Sequence, residues 1–253
     1  SDFAAKTIAP TARAYAPAVP FWSDGLDKDR YIQIPDGQKI DITAPDDWKF
    51  PPGTKVWKDI HKGPKKIETR LFMKQPDETW LSTSYVWSED GKTAVAGPGQ
   101  DVMVDGQKYH IPSTSECGVC HKGRKDRMLG FEAISLAQPG ATGVTFDVLA
   151  KEGKLNPPPA KTSVTVPEPA LAILHVNCGI TCHNNNSGST AYVTKLRMRL
   201  NFNEVADGKP VDQWEIFGSL VTTDTTSHGR EGKRIVPGKP EESALIEAMN
   251  HRG

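Results

Sequence analysis

Every cysteine of this chain lies in one of two signatures in which a pair of cysteines is followed directly by a histidine. The first signature is Cys117-Gly-Val-Cys120-His121, and the second is Cys178-Gly-Ile-Thr-Cys182-His183. The first has the C-x-x-C-H spacing of covalent c-type haem attachment, in which each cysteine forms a thioether and the histidine ligates the iron. The second has one extra residue between its cysteines. The fold must therefore accommodate a large planar group at each of two places.

Two other interpretations of the cysteines remain open. Four cysteines can form two disulfides in a secreted protein, or they can pool into one zinc site. Against both, the chain has only 7 histidines in 253 residues, yet both cysteine pairs are followed directly by one. We therefore predict two covalently bound haem c groups. Their attachment residues are Cys117, Cys120, Cys178 and Cys182, and their proximal iron ligands are His121 and His183.

Composition narrows the class of protein. The formal net charge is +0, which argues against nucleic acid or an anionic membrane as the main partner. The mean hydropathy is −0.49 and no run approaches the ~18 apolar residues of a membrane helix, so no membrane span is expected. Covalent haem c is attached outside the cytoplasm, so we expect a periplasmic or extracellular protein. The first residues lack a signal-peptide pattern, and we expect that such a signal has been removed.

The predicted fold class is α+β, with an N-terminal antiparallel β-rich domain followed by a mainly α-helical cytochrome c-like haem-binding region. Residues 1–112 form the predicted β-rich domain, residues 113–160 a first haem c segment, and residues 161–253 a second haem c domain. The strand predictions depend on β-branched and aromatic residues with partial alternation, bounded by turn residues. They cover 31–34, 53–57, 67–73, 79–87 and 102–104.

Several short runs resemble a group of bacterial extracytoplasmic dihaem c-type cytochromes with an N-terminal β-rich domain. The runs are Phe21-Trp-Ser-Asp-Gly25, Gly53-Thr-Lys-Val-Trp-Lys58, Glu68-Thr-Arg70, Tyr85-Val-Trp87, Tyr109-His-Ile-Pro-Ser-Thr-Ser-Glu-Cys117, Leu129-Gly-Phe131, His175-Val-Asn-Cys178 and Arg234-Ile-Val-Pro-Gly-Lys-Pro240. The resemblance implies two haems and export, and it implies little about a substrate. Related sequences continue into a Met-Pro-Pro run that supplies a distal ligand. By that comparison we expect a weak, absent or substitute sixth ligand at the second iron.

Candidates for the distal ligands are methionines and histidines, because methionine raises the reduction potential of a haem and histidine lowers it. The candidates for the first haem are Met128, Met103, His110 and His175, and those for the second are Met198, Met249, His228 and His251. Each has an ordinary alternative. The apolar patterns favour core positions for Met103 and Met249, and a hydrogen-bonded structural role is favoured for His110 and His175.

The leading functional hypothesis is a dihaem c-type cytochrome that transfers electrons between extracytoplasmic redox partner proteins. The alternative is a peroxidase-like or oxidase enzyme with one open haem iron, and a third hypothesis is a binding module with accessory haems. The sequence predicts no catalytic side chain. A basic cluster follows the first signature, where it can hold haem propionates, dock an acidic partner or form a solvated loop. It consists of Lys122, Arg124, Lys125 and Arg127.

Overall fold

Antiparallel strands build the first half of the chain. The computed structural model describes residues 9–225 and 232–250. Its strands before the first signature are β1 (Arg13–Ala16), β2 (Asp27–Gln33), β3 (Ile40–Asp41), β4 (Lys55–Lys62), β5 (Lys65–Lys74), β6 (Trp80–Trp87), β7 (Ala94–Ala96), β8 (Gln100–Val104) and β9 (Gln107–Ile111). These strands confirm the β-rich N-terminal region that the alternation of apolar and polar residues predicts.

One twisted sheet of seven strands organises the described residues. Its order is β10-β1-β2-β4-β5-β6-β7, where β10 (Thr142–Gly143) comes from beyond the first signature. Every neighbouring pair in it is antiparallel. Strands β8 and β9 form a separate hairpin, and β3 pairs in parallel with β11 (Leu155–Asn156). The second half of the chain is therefore joined to the first by strand pairing as well as by packing.

The prediction of a mainly α-helical second half is wrong. The helices there are short and separated by irregular backbone: α1 (Thr114–His121), α2 (Ala133–Ala137), α3 (Phe146–Lys151), α4 (Pro169–Leu174), α5 (Phe202–Ala206), α6 (Glu215–Phe217) and α7 (Ala244–Asn250). A short hairpin of β12 (Asp224–Thr225) and β13 (Gly232–Lys233) lies between α6 and α7. A proline or glycine follows within two residues of the last residue of α1, α2, α3, α5 and α6, which limits these helices to one or two turns. Helices this short depend on tertiary packing for their stability.

A continuous hydrophobic core crosses the boundaries predicted between the three segments. It includes Ile32 and Phe72 from the sheet, Phe131 and Phe146 from the middle of the chain, and Trp214 from the last segment. The rings of Tyr15 and Phe131 pack edge to face, with centroids 4.8 Å apart. This core joins the sheet to the segments that carry both signatures.

No helix among residues 9–225 and 232–250 is both long enough and apolar enough to cross a membrane.

Candidate haem-attachment sites

Helix α1 carries the whole first signature. It begins at a capping box, in which the Ser113 side chain accepts from the Glu116 amide and the Glu116 carboxylate accepts from the Ser113 amide. The cap places Cys117 on the face that packs against the sheet, where it is buried, and leaves Cys120 exposed. Burial raises the pKa of the Cys117 thiol, and the nearby Arg70 and the Ser82 hydroxyl partly offset that effect.

The ring of His121 is oriented by contacts on both its face and its edge. Its Nδ1 lies 2.5 Å from the Arg127 carbonyl oxygen, and its ring stacks on Phe72 with centroids 4.1 Å apart. A carbonyl oxygen can only accept, so Nδ1 carries the proton and the Nε2 lone pair is available to a metal. Burial, together with the charge on Lys58, lowers the pKa of His121 to about 3. His121 is therefore neutral near pH 7, as an iron ligand must be.

The second signature follows α4 through a wider, π-helical turn at His175–Gly179. The amides of Ile180 and His183 donate to carbonyls five residues back, those of His175 and Cys178, both at 2.9 Å. Such i→i+5 bonds absorb one extra residue into a helical path. The additional residue between Cys178 and Cys182 is thus accommodated by the backbone, and Cys182 and His183 stay within one turn of Cys178.

His183 has a buried ring nitrogen without a partner. Its Nδ1 lies near the Leu196 carbonyl but makes no hydrogen bond with correct geometry. Burial lowers the pKa of His183, so the neutral ring is favoured at this signature as well. Both histidines therefore meet the protonation requirement for iron ligation, and His121 is the better oriented of the two.

The two signatures lie against each other. A Cβ on Gly123, two residues after His121, would lie 1.7 Å from the Thr181 carbonyl oxygen inside the second signature. A Cβ on Gly188 would lie 2.7 Å from the Lys122 carbonyl oxygen. The thiols of Cys120 and Cys182 are close enough for the charge of one to affect the pKa of the other. The segment that directly follows the first signature therefore packs on the backbone of the second signature and of the loop after it.

The two histidines predicted as distal ligands of the first haem, His110 and His175, are already hydrogen-bonded. His110 is exposed and lies 2.7 Å from an oxygen of Asp101 and 3.0 Å from one of Glu116. His175 is buried, where Nδ1 accepts from the Leu200 amide at 3.0 Å and Nε2 lies 3.4 Å from Glu132. Neither ring has a nitrogen free in this arrangement. These contacts agree with the hydrogen-bonded structural role that the sequence favoured for both residues.

The methionine candidates divide by burial. Met128 and Met198 are buried in the main hydrophobic core. Met103 and Met249 are 63% and 56% exposed, so the expectation that they are core residues is wrong. Met103 lies on the β8–β9 hairpin, where its side chain faces away from that hairpin's small apolar cluster. His228 and His251 lie outside the described residues.

The basic cluster after the first signature is not one surface. Arg124 is buried, donates to the Asp46 carbonyl and lies 3.6 Å from Asp47. Lys122, Lys125 and Arg127 are exposed. Arg124 therefore holds the chain after α1 against the loop that follows β3, and three cations of the predicted cluster remain at the surface.

All four cysteines lie within the described residues, and none of them forms a disulfide. Cys117 lies beside Ser82 and Arg70, whereas Cys182 lies beside Thr190 and Cys120. Residues 9–225 and 232–250 contain no group of three or more His, Cys, Asp and Glu side chains placed to hold a metal ion.

The residues present fit covalent haem at the first signature, on the evidence of the His121 hydrogen bond and its available Nε2. The residues of the second signature also fit covalent haem, because the thiols of Cys178 and Cys182 lie within one turn of His183, whose Nδ1 has no hydrogen-bond partner. No protein-family model, no curated protein and no solved structure matches this chain. The functional interpretation therefore depends on the residues themselves.

Sequence reasoning did not identify two polar groups near the signatures. One is the buried pair Glu132 and His175, which connects the chain after the first signature to the helix before the second. The other is a row of cations on the sheet face that carries Phe72, formed by Arg30, Lys58 and Arg70. Only the strand register reveals this row, because it places residues that are far apart in sequence opposite one another.

Proposed function

We propose that this chain is a dihaem c-type cytochrome that transfers electrons between redox partner proteins in the periplasm or outside the cell. The observation that carries the proposal is the close packing of Gly123, two residues after the first signature, on the Thr181 backbone inside the second signature. When bound, haem c supplies reversible one-electron redox chemistry. The chain's contribution is to hold two such groups near each other and to orient their ligands.

The first signature prepares its histidine before any iron is bound. The Arg127 carbonyl fixes the tautomer of His121, and the ring of Phe72 fixes the ring plane. A hydrogen bond from Nδ1 also makes Nε2 a stronger donor to a metal. These contacts restrict the rotation of His121 and lower the entropic cost of ligation.

The backbone contact between the signatures sets the separation of the two sites. A side chain at Gly123 or Gly188 would push the segments apart, because each glycine faces a carbonyl oxygen of the other segment. Electron transfer between two centres depends steeply on their separation. Close backbone packing is therefore a feature that a dihaem electron-transfer protein requires and that two independent structural disulfides do not.

The test is a haem count on protein exported from a host that performs c-type haem maturation. We expect two covalent haems per chain by the pyridine haemochrome assay and by intact mass after denaturation. The paired variants Cys117→Ala/Cys120→Ala and Cys178→Ala/Cys182→Ala should each retain one. Two disulfides and no haem in the mass spectrum would falsify the proposal.

A second measurement separates electron transfer from catalysis. In stopped-flow experiments we expect the reduced protein to pass electrons rapidly to a small protein acceptor and to turn over peroxide no faster than free haem does. Sustained peroxide turnover together with carbon monoxide binding at one reduced iron would contradict the electron-transfer role, because an open iron binds such ligands. It would support the enzyme alternative instead.

A further inference from the structure

Three cations form a row across one face of the sheet. Arg30 on β2 pairs with Lys58 on β4, and Lys58 pairs with Arg70 on β5. Directly paired residues of antiparallel strands point to the same face, and neighbouring strands are about 4.8 Å apart. Like charges opposite each other destabilise a sheet, so this row needs a compensating negative charge.

The described residues supply only part of that charge. Glu68 binds Arg70 through two hydrogen bonds of 2.6 and 3.0 Å, and it also accepts one from the Tyr109 hydroxyl at 2.6 Å. Arg30 is 6% exposed, and neither it nor Lys58 takes part in an ion pair within residues 9–225 and 232–250. The ring of Phe21 lies 5.9 Å from the guanidinium carbon of Arg30 and 5.8 Å from the Lys58 nitrogen. Glu68 therefore pairs with only one of the three basic side chains, and burial together with the charges of Arg30 and Arg70 lowers the pKa of Lys58 well below its usual value.

Unsatisfied polar atoms surround the same row. Ser84, which pairs with Arg70 on β6, is 1% exposed and its hydroxyl has no hydrogen-bond partner. The Tyr15 hydroxyl and Arg30 Nε are also buried without a hydrogen-bond partner. The charge on Arg30 lowers the pKa of Tyr15 against the larger, raising effect of burial. Buried donors in native proteins are normally satisfied, so three unsatisfied ones beside unpaired cations indicate a place for an anion.

We propose that the row formed by Arg30, Lys58 and Arg70 binds the propionate carboxylates of the haem held by the first signature. This inference rests on the proposed function. Cys117 lies close to Arg70 and Lys58, and the row continues from there toward β2. The propionates of haem lie on the side of the ring opposite its thioether-forming vinyl groups. Carboxylates tethered in this way would satisfy the charges and the orphaned donors together.

The location of this row differs from the sequence-based expectation. Propionate binding was one of three roles left open for the basic residues just after the first signature, of which Arg124 instead binds Asp46 and Asp47. The sheet row has the burial and the excess of donors that a tethered dianion requires. A free carboxylate or phosphate anion has the same chemistry, so the experiment needs an arm for each source.

The test compares Lys58→Met with Lys55→Met in the haem-loaded protein. Lys55 lies on the same strand three residues away, so its side chain faces the other side of the sheet. The first haem's potential is assigned by its loss in the Cys117→Ala/Cys120→Ala variant. We expect Lys58→Met to lower the equilibrium constant for reduction of that haem roughly tenfold, which is about 59 mV for one electron. The Lys55→Met variant should change it less than about twofold, because its side chain lies on the opposite face of the sheet from the row.

Two further measurements identify the source of the anion. Resonance Raman spectra should show a shifted propionate bending band in Lys58→Met and in a second variant, Arg30→Gln, and an unchanged band in Lys55→Met. Inorganic phosphate should raise the melting temperature of the wild-type protein by no more than it raises that of Lys58→Met, measured at the same ionic strength. Stabilisation by phosphate that Lys58→Met abolishes would show that the row takes a free anion, and it would overturn the propionate assignment.

The outcomes distinguish this inference from the proposed function. Two haems per chain, with identical potentials and Raman bands in wild type, Lys58→Met and Arg30→Gln, would overturn the propionate site and leave the cytochrome proposal intact. A chain with no haem at the first signature would overturn both.

Discussion

Glu132 joins the chain that follows the first signature to the helix that precedes the second. Its carboxylate caps α2 by accepting from the amides of Ile134 at 2.8 Å and Ser135 at 2.7 Å. It also lies 3.4 Å from His175 Nε2, and His175 Nδ1 accepts from the Leu200 amide. Removing this carboxylate should therefore loosen two connected elements, and Glu132→Ala is the informative change.

The magnitude follows from the groups that the change leaves without partners. Loss of a helix N-cap costs about 1 kcal/mol, and a buried donor without a partner costs about 1–3 kcal/mol. Glu132 and His175 are 2% and 1% exposed, so water cannot replace the lost contacts. We expect Glu132→Ala to lower the free energy of unfolding by about 3 kcal/mol. Glu132→Gln keeps one acceptor oxygen and should cost about half as much.

Urea unfolding followed by far-UV circular dichroism measures this loss. The matched control is Thr145→Ala, which removes the N-cap of α3, where the Thr145 hydroxyl accepts from the Val148 amide at 3.2 Å. That helix cap has no further buried partner, so we expect a loss of about 1 kcal/mol. Equal losses for Glu132→Ala and Thr145→Ala would refute the role assigned to the His175 contact.

The same carboxylate makes stability depend on pH. Burial alone would raise the pKa of Glu132, but the hydrogen bond with His175, the Ser135 contact and the charge of Arg124 outweigh it and lower the pKa to about 2. A group with a lowered pKa contributes stability above its unfolded pKa, about 4.3, and loses that contribution as pH falls toward 2. Urea midpoints should therefore fall between pH 5 and pH 2 less steeply in Glu132→Gln than in wild type.

Three further substitutions test the packing in and beside the first signature. Gly123→Ala should destabilise the protein by about 3 kcal/mol in urea unfolding, because the added methyl group overlaps the Thr181 carbonyl. The control is Gly118→Ala, which lies inside α1 with open space around it and should stabilise the protein by about 0.5–1 kcal/mol. Asp126→Ala should cost roughly 3 kcal/mol by thermal unfolding, because Asp126 accepts from the buried Lys74, which is 1% exposed. A loss below about 1 kcal/mol would contradict the Lys74 pairing.

The strands of the first half were predictable because their residues report their environment locally. Predicted segments at 67–73 and 79–87 correspond closely to β5 (Lys65–Lys74) and β6 (Trp80–Trp87). In such strands, side chains alternate between a buried face and a more exposed one, so a window of a few residues contains the signal. The bounds of these two strands differ from the prediction by at most two residues, whereas the predicted segments 31–34 and 53–57 miss the first four residues of β2 (Asp27–Gln33) and the last five of β4 (Lys55–Lys62).

The second half was less predictable because its short apolar runs fit several structures. Residues 195–200 alternate as a strand does, yet they form irregular chain in which Met198 and Leu200 are buried. The backbone there bonds to His183 and His175 instead of to a sheet. Tertiary contacts of this kind depend on partners far away in sequence, which local periodicity does not reveal.

The candidate sites show the same division between local and long-range information. Sequence spacing alone identified the candidate attachment thiols and the candidate proximal histidines, because attachment chemistry requires them to be adjacent. The cation row combines residues 30, 58 and 70, which only the pairing of three strands brings together. The position of Lys58 opposite Arg70 required knowledge of the β4–β5 register, including its irregularity at Ile60 and His61.

The contact between the signatures is the strongest link from fold to proposed function, and it depends on a missing side chain. Gly123 follows His121 by two residues, and the space where its Cβ would be is filled by the Thr181 carbonyl oxygen. Thr181 is one of the three residues between Cys178 and Cys182. The π-type turn accommodates the extra residue of this signature in the backbone. The irregular spacing of the second signature and the glycine after the first are therefore parts of one arrangement, in which backbone packing sets how closely the two candidate haem sites approach.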